Sequence, residues 1–125
     1  MTSTSSTQLV NVLIKIVIKK YKKEEFLKSM HMYMEEIRKQ QGCLHYDLYQ
    51  DSDEENAYLV VGEWESAKAM EKYFQTQEYE LSLGAAKVLC KTFEIETTEV
   101  SHIGNLDWAR KQIRSPKKTG ESTIQ

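Results

Sequence analysis

The hydrophobic positions of this chain repeat every two residues in several short segments, which is the pattern of β-strands. The segment 10–18 has one fully apolar face, formed by Val10, Val12, Ile14, Ile16 and Ile18. The segments 43–51 and 92–100 alternate in the same way, and 58–63 is apolar on both faces of the pleat. Because a strand that is apolar on both faces must be covered on both faces, we predict four strands, the third of them buried from two sides.

Between the first two strands the pattern changes to the period of an amphipathic helix. Residues 24–41 carry an apolar stripe at helical spacing, and Gly42 is the expected stop. The stripe consists of Phe26, Met30, Tyr33, Met34 and Ile37. We interpret this stripe first as core packing, and second as the adaptable wall of a cavity, since methionine fills irregular spaces well.

Two further helices are predicted after the third strand, over 66–74 and 76–90. Ser66 and Thr76 are the expected N-caps, because their hydroxyl groups can accept a hydrogen bond from a backbone N–H of the first turn. Gly84 lies inside the second of these helices and weakens its helical preference.

The order of the predicted elements is β-α-β-β-α-β, the order of the ferredoxin-like split βαβ fold. We therefore predict an α+β domain in which a four-stranded antiparallel sheet carries its helices on one face. The opposite face would expose an apolar patch in a monomer, formed by Leu13, Val17, Leu59 and Val61. Packing two such faces together hides the patch, so the sequence predicts a homodimer.

Composition and charge are those of an ordinary globular domain. Of the 125 residues 29% are charged and 40% hydrophobic, and the formal net charge of −2 favours neither nucleic acid nor an anionic membrane as a partner. The apolar first strand is too short to span a membrane. Cys43 and Cys90 are the only cysteines, and the first residues lack the pattern of a signal peptide, so we expect a cytoplasmic protein with reduced thiols.

The two ends of the chain differ from its middle. Residues 1–8 are small and polar, and we expect them to form a disordered arm ahead of a domain over 9–100. The extension 101–125 contains the pattern of a short helix over 106–114. Its polar remainder is expected to be disordered or to dock weakly on a partner subunit.

Trp64 is the first candidate site residue, because it stands where a strand ends and a helix begins, a frequent place for pockets. Its indole N–H either completes a core hydrogen bond or serves an oxyanion of a ligand, and the sequence leaves both roles open. Cys43 and His45 would share one face of a strand, but they lack metal-ligand spacing with other residues. We therefore predict no metal site, and we interpret the basic run 19–23 as a solvated turn.

Four features together resemble the antibiotic biosynthesis monooxygenase (ABM) domain family. They are a first strand, a helix that ends at Gly42-Cys43, the residues Tyr46 and Asp51, and the junction Glu63-Trp64-Glu65-Ser66. The resemblance covers about residues 10–98. It implies a dimeric α+β barrel. In members that oxidise phenols or quinols, it also implies reaction with O2 in an apolar pocket between sheet and helices, without a cofactor.

The resemblance also implies roles for individual residues. Trp64 matches the family tryptophan, and Tyr73 stands nine residues later, where many members carry a histidine; we expect both to be catalytic. The expected substrate-binding residues are Ile14, Met30, Met34, Tyr46, Tyr58, Met70 and Tyr79. A free tyrosine has a pKa near ~10 and is a poor base unless its surroundings perturb it. The expected partners are a small aromatic or quinol-like molecule and a second copy of the chain.

Three functions remain open at this point. The first is a cofactor-independent monooxygenase acting on a small aromatic, phenol or quinol. The second is a non-catalytic dimeric module that binds a hydrophobic ligand or acts in stress, which the missing histidines at Tyr73 and Glu78 favour. The third is haem binding and degradation, which is disfavoured because the strand asparagine of haem-degrading members is replaced by Ile14.

Overall fold

The computed structural model describes residues 8–114, which form four strands and four helices. In chain order they are β1 (Val10–Ile18), α1 (Lys23–Arg38), β2 (Cys43–Gln50), β3 (Ala57–Trp64), α2 (Ala67–Phe74), α3 (Gln77–Leu89), β4 (Cys90–Glu99) and α4 (Leu106–Arg114). The disorder predicted for the first seven residues and for the chain beyond Arg114 lies outside the described residues.

The four strands form one antiparallel sheet in the order β2-β3-β1-β4. In the register of the sheet, Ile14 of β1 lies between Val60 of β3 and Ile95 of β4. Helix α1 packs against β2, α2 against β3 and α3 against β4, so these helices share one face of the sheet. The predicted α+β ferredoxin-like fold is confirmed.

The N-caps of α2 and α3 are those predicted, whereas α1 ends at Arg38, before its predicted stop at Gly42. The Ser66 hydroxyl accepts a hydrogen bond from the backbone N–H of Ala69 at 3.1 Å, and the Thr76 hydroxyl accepts one from that of Tyr79 at 3.2 Å. Gly42 has a φ of +89°, and a Cβ at this position would run into the Ala69 side chain. The turn between α1 and β2 therefore requires glycine.

The two faces of the sheet differ in how well they are covered. The inward side chains of β1 form the centre of the core, and Val10, Val12, Ile16 and Ile18 are each buried. On the outer face, Leu13, Val17, Leu59 and Val61 are only half-buried. The homodimer inferred from this apolar patch stays a prediction.

The alternation predicted for β2 is interrupted at its start. Cys43 and His45 pair with the consecutive β3 residues Trp64 and Glu63, which leaves Leu44 as the extra residue of a β-bulge. Leu44 is consequently 50% exposed. The prediction that Cys43 and His45 share one face was wrong, because the bulge shifts the pleat by one residue between them.

Candidate functional site

A cavity of about 60 Å³ lies between the inner face of the sheet and the helices α1, α2 and α3. Its wall is largely apolar, and within the described residues no carboxylate, imidazole, ammonium or guanidinium group lines it. The hydroxyl groups come from Ser29, Tyr33, Tyr46, Tyr73, Tyr79 and Ser82. Such a wall suits an apolar ligand that carries one or two hydrogen-bonding oxygens.

Six of the nine predicted site residues line this cavity. They are Ile14, Met30, Met34, Tyr46, Tyr73 and Tyr79, contributed by β1, α1, β2, α2 and α3. Trp64, Tyr58 and Met70 are not among the lining residues. The structure thus brings most of the predicted set together, while the roles given to these residues stay predictions.

Trp64 lies behind the cavity wall and is completely buried. Its indole ring stacks on the Tyr73 ring, with centroids 5.4 Å apart and planes 23° from parallel. The Tyr46 ring meets it edge-on, with centroids 6.1 Å apart. Both tyrosines line the cavity, so contact between Trp64 and a ligand would pass through them.

The indole N–H of Trp64 is the most unusual polar group at the site. It is buried and has no hydrogen-bond partner among residues 8–114. It nevertheless lies close enough to the Tyr46 hydroxyl to lower the pKa of that group, against the larger effect of burial. An unpaired buried donor is unfavourable for folding.

Burial raises the pKa values of three tyrosines in the wall, Tyr46, Tyr73 and Tyr79. Removal from water is the main cause: it raises the pKa of Tyr73 to about 12, and it raises the pKa values of Tyr46 and Tyr79 as well. The nearby Ser82 side chain lowers the pKa of Tyr73 against this larger effect of burial. All three phenols are therefore protonated at neutral pH, which makes them hydrogen-bond donors and poor bases.

The aromatic cluster at the site depends on the turn between α2 and α3. The Thr76 hydroxyl donates to the carbonyl oxygen of Tyr73 at 2.7 Å and caps α3. This turn places Tyr79 edge-on to Tyr73 at 5.4 Å and stacked on Phe74 at 4.6 Å. The turn thus positions the hydroxyl-bearing rings of Tyr73 and Tyr79 in the cavity wall.

Tyr58 and Met70 lie in the core away from the cavity. Tyr58 packs on Phe26 with ring centroids 4.9 Å apart, and its hydroxyl is buried without a partner in the part of the chain that the structure describes. Sequence reasoning gave both residues to the substrate site because they lie on the inward side of their elements. An inward position alone does not distinguish core from cavity.

Five of the lining residues outside the predicted set come from α3. They are Ser82, Leu83, Ala85, Ala86 and Leu89. The available signal was the helical spacing of Tyr79, Leu83, Ala86 and Cys90, which marks one face of this helix. That face packs toward β4 and forms part of the cavity wall.

Residues 8–114 contain neither a candidate metal site nor a helix that could span a membrane. Residues 8–114 hold no group of three His, Cys, Asp or Glu side chains placed to bind a metal ion. Within the same range, the helices are too short or too polar to cross a lipid bilayer.

Comparison with known proteins gives relatives of similar fold and sequence. The chain is 30% identical over 92 residues to protein sll1783 of Synechocystis sp., an alignment that covers 73% of this chain and 63% of the relative. It is 28% identical over 87 residues to YcnE of Bacillus subtilis, covering 69% of this chain and 92% of YcnE. The chain thus spans less than two thirds of sll1783 and most of YcnE.

Solved structures support the fold. A mutant of SnoaB, a cofactor-independent oxygenase of Streptomyces nogalater, matches with a TM-score of 0.71 and 16% identity, over 77% of this chain and 96% of SnoaB. The family model for antibiotic biosynthesis monooxygenase matches residues 9–81, which is more than half of the chain. The chain therefore belongs to the antibiotic biosynthesis monooxygenase family.

Proposed function

We propose that this protein is a cofactor-independent monooxygenase that oxidises a small, single-ring phenol or quinol with O2 in the cavity between sheet and helices. One observation carries the proposal: an apolar, uncharged cavity whose polar groups are protonated hydroxyls. Membership of the family and the oxygenase activity named for SnoaB agree with it. The proposed active form is a homodimer, because the outer sheet face leaves apolar side chains half-covered.

The cavity limits the size of the substrate. At about 60 Å³ it is smaller than the ~300–1,000 Å³ that is common for ligand pockets. Met30 and Met34 form part of its wall, and their unbranched side chains can change rotamer to admit a ring. A haem macrocycle would require a far larger rearrangement, so haem degradation is not proposed.

The reaction needs only substrate, O2 and water. The phenol gives its hydroxyl proton to water, and the phenolate passes one electron to O2. The two radicals join in a bond between oxygen and a ring carbon that carries hydrogen, either next to or opposite the carbon with the phenolate oxygen, and the peroxide takes up a proton. Loss of the ring hydrogen as a proton then breaks the O–O bond, leaving a quinone carbonyl and releasing water. Phenol and O2 thus yield quinone and water.

The side chains at the wall would stabilise the charged species of this sequence. Tyr46 and Tyr73 are neutral donors at neutral pH, and hydrogen bonds from them to the phenolate or peroxide oxygen are charge-assisted. Trp64 would act through Tyr46, since it lowers the pKa of the Tyr46 hydroxyl, and a lower pKa makes that hydroxyl a better donor. Donors fixed in a dry site are effective because they need no reorganisation during the reaction.

Binding without turnover is the alternative function, and one observation favours it. With its pKa raised to about 12, Tyr73 cannot replace the histidine base that many relatives carry at this place. A module that only holds a hydrophobic ligand needs no base.

Oxygen uptake distinguishes the two functions. We expect a panel of single-ring hydroquinones to include at least one that the wild type oxidises above the uncatalysed rate, and Trp64→Phe to oxidise it more slowly. Equal, background-level uptake by both proteins, together with saturable binding of the same compounds, would establish the binding module instead.

A further inference from the structure

Helix α4 presents an amphipathic surface that the rest of the described chain leaves uncovered. Leu106 is 73% and Ile113 81% exposed, and with Ala109 they lie within about 60° of one another around the helix axis. Arg110 lies along one edge of this stripe. Trp108 lies on the opposite side, where it packs against His102 with ring centroids 4.3 Å apart. The apolar stripe of α4 is therefore free for a partner.

A groove on the outer face of the sheet has the matching character. It encloses about 830 Å³ at the end of the sheet where β1 finishes, and crosses all four strands. Its apolar floor comes from Val17, Ala57 and Leu59. Four strands spaced ~4.8 Å apart give a width of about 14 Å. A nine-residue helix at 1.5 Å per residue has about the same length.

The charges of the two surfaces are opposite. The turn between β2 and β3, at the edge of the groove, carries four acidic residues: Asp51, Asp53, Glu54 and Glu55. Glu94 also lines the groove, and Lys15 is the one cationic residue among the described residues that line it. The sequence of α4 contains three basic residues, Arg110, Lys111 and Arg114, and one acid, Asp107. Such complementarity favours association and steers the encounter of the two surfaces.

We propose that α4 of one copy of this chain docks in the outer-face groove of a second copy. The register of the sheet supports exchange between copies: β4 ends beside Val10, at the end of β1 opposite the groove. When two sheets face each other with their strands antiparallel, the α4 end of each lies over the groove end of the other. Each copy then contributes one helix and one groove, which closes the assembly with two equal contacts.

The self-association constant tests this docking. We expect sedimentation velocity to show a wild-type dimer. Ile113→Glu should weaken its dissociation constant by about tenfold or more, because a carboxylate would enter an apolar floor next to acidic groups. Leu81→Glu is the matched control, since Leu81 is 58% exposed on α3, and it should leave the constant unchanged.

A charge exchange tests the electrostatic part. Arg110→Glu should weaken the dimer, and added Glu94→Lys in the same chain should restore it, since both contacts regain an opposite-charge pair. Salt should weaken the wild-type dimer because exposed pairs are screened. Restoration identifies the groove as the site, which a general loss of folding could not do.

Cross-linking distinguishes exchange from folding back within one chain. Chains with Ile113→Cys and chains with Leu59→Cys, mixed and oxidised, should form disulfide-linked pairs of one chain of each kind. The proposal is overturned if the wild type is monomeric or if Ile113→Glu dimerises like the wild type. It is also overturned if the disulfides form only within a single chain that carries both substitutions. A change in the binding of α4 variants to anionic phosphatidylserine vesicles, with the dimer unaffected, would overturn it as well.

Discussion

The indole ring of Trp64 stacks on the phenol ring of Tyr73 at 5.4 Å, and only Tyr73 of the pair reaches the cavity. Trp64 ends β3 and Tyr73 lies nine residues later on α2, so the Ser66-capped turn between them sets the stack. Trp64 therefore supports the cavity wall from behind, and Tyr73 forms part of that wall.

Loss of the Tyr73 hydroxyl should reduce oxidation without unfolding the protein. Tyr73→Phe keeps the ring and its stacking on Trp64 but removes one donor from the cavity wall. Removal of one such donor lowers kcat by about 10²-fold in well-studied sites. Tyr21→Phe, at a residue that is 96% exposed, is the control and should behave as the wild type in both kcat/KM and Tm.

Trp64 should be more important for stability than for direct contact with substrate. Trp64→Ala removes a completely buried indole between two tyrosine rings, and we expect a loss of about 3–5 kcal/mol in the free energy of unfolding. Trp108→Ala is the comparison, because Trp108 is 42% exposed and should be much less costly to truncate. Urea denaturation monitored by far-UV circular dichroism measures both; similar losses would contradict the packing described for Trp64.

The raised tyrosine pKa values predict a loss of stability at alkaline pH. An unfolded tyrosine ionises near pH ~10, whereas Tyr73 in the folded chain holds its proton to about pH 12. The unfolded state thus loses its proton first, so this contribution to the free energy of unfolding is complete below pH ~10 and declines as pH rises toward about 12. Tyr73→Phe should make this decline shallower. If Tyr21→Phe flattened it equally, burial of Tyr73 would not be the cause.

Gly62 should tolerate a methyl group only when Tyr46 is smaller. Gly62 pairs with Tyr46 across the strands, and a Cβ at this position would run into the Tyr46 ring. Gly62→Ala should therefore destabilise the wild type and should destabilise a Tyr46→Leu background less. The coupling in this double-mutant cycle is the measurement, and strict additivity would show that the ring does not rest on Gly62.

The fold could be predicted from sequence because its signals are local. The alternation in β1, the caps at Ser66 and Thr76 and the glycine turn at Gly42 each act within a few residues. These signals agree with one another, which is why the order of elements was correct. The bulge at Leu44 was missed, since it arises from pairing with β3 rather than from the sequence of β2.

The candidate site could be predicted only in part. Inward-facing residues such as Met34 and Tyr46 were found because core and cavity share the same face of each element. Whether an inward residue packs in the core or lines the cavity depends on how the helices pack on the sheet. Tyr58 was predicted to line the cavity but lies in the core, whereas Ala86 was not predicted and lines the cavity. Trp64 lies outside the residues that line the cavity, and its catalytic role stays a prediction.

Blocking the cavity tests the proposed oxidation most directly. Ala86→Phe places a ring in the wall of a cavity of about 60 Å³, whereas Val88→Phe adds a ring at a position on the same helix that is 58% exposed. With the best hydroquinone of the panel, an oxygen electrode should record uptake by the wild type and Val88→Phe, and only background uptake by a folded Ala86→Phe. Undiminished uptake by Ala86→Phe would contradict the assignment of the reaction to this cavity.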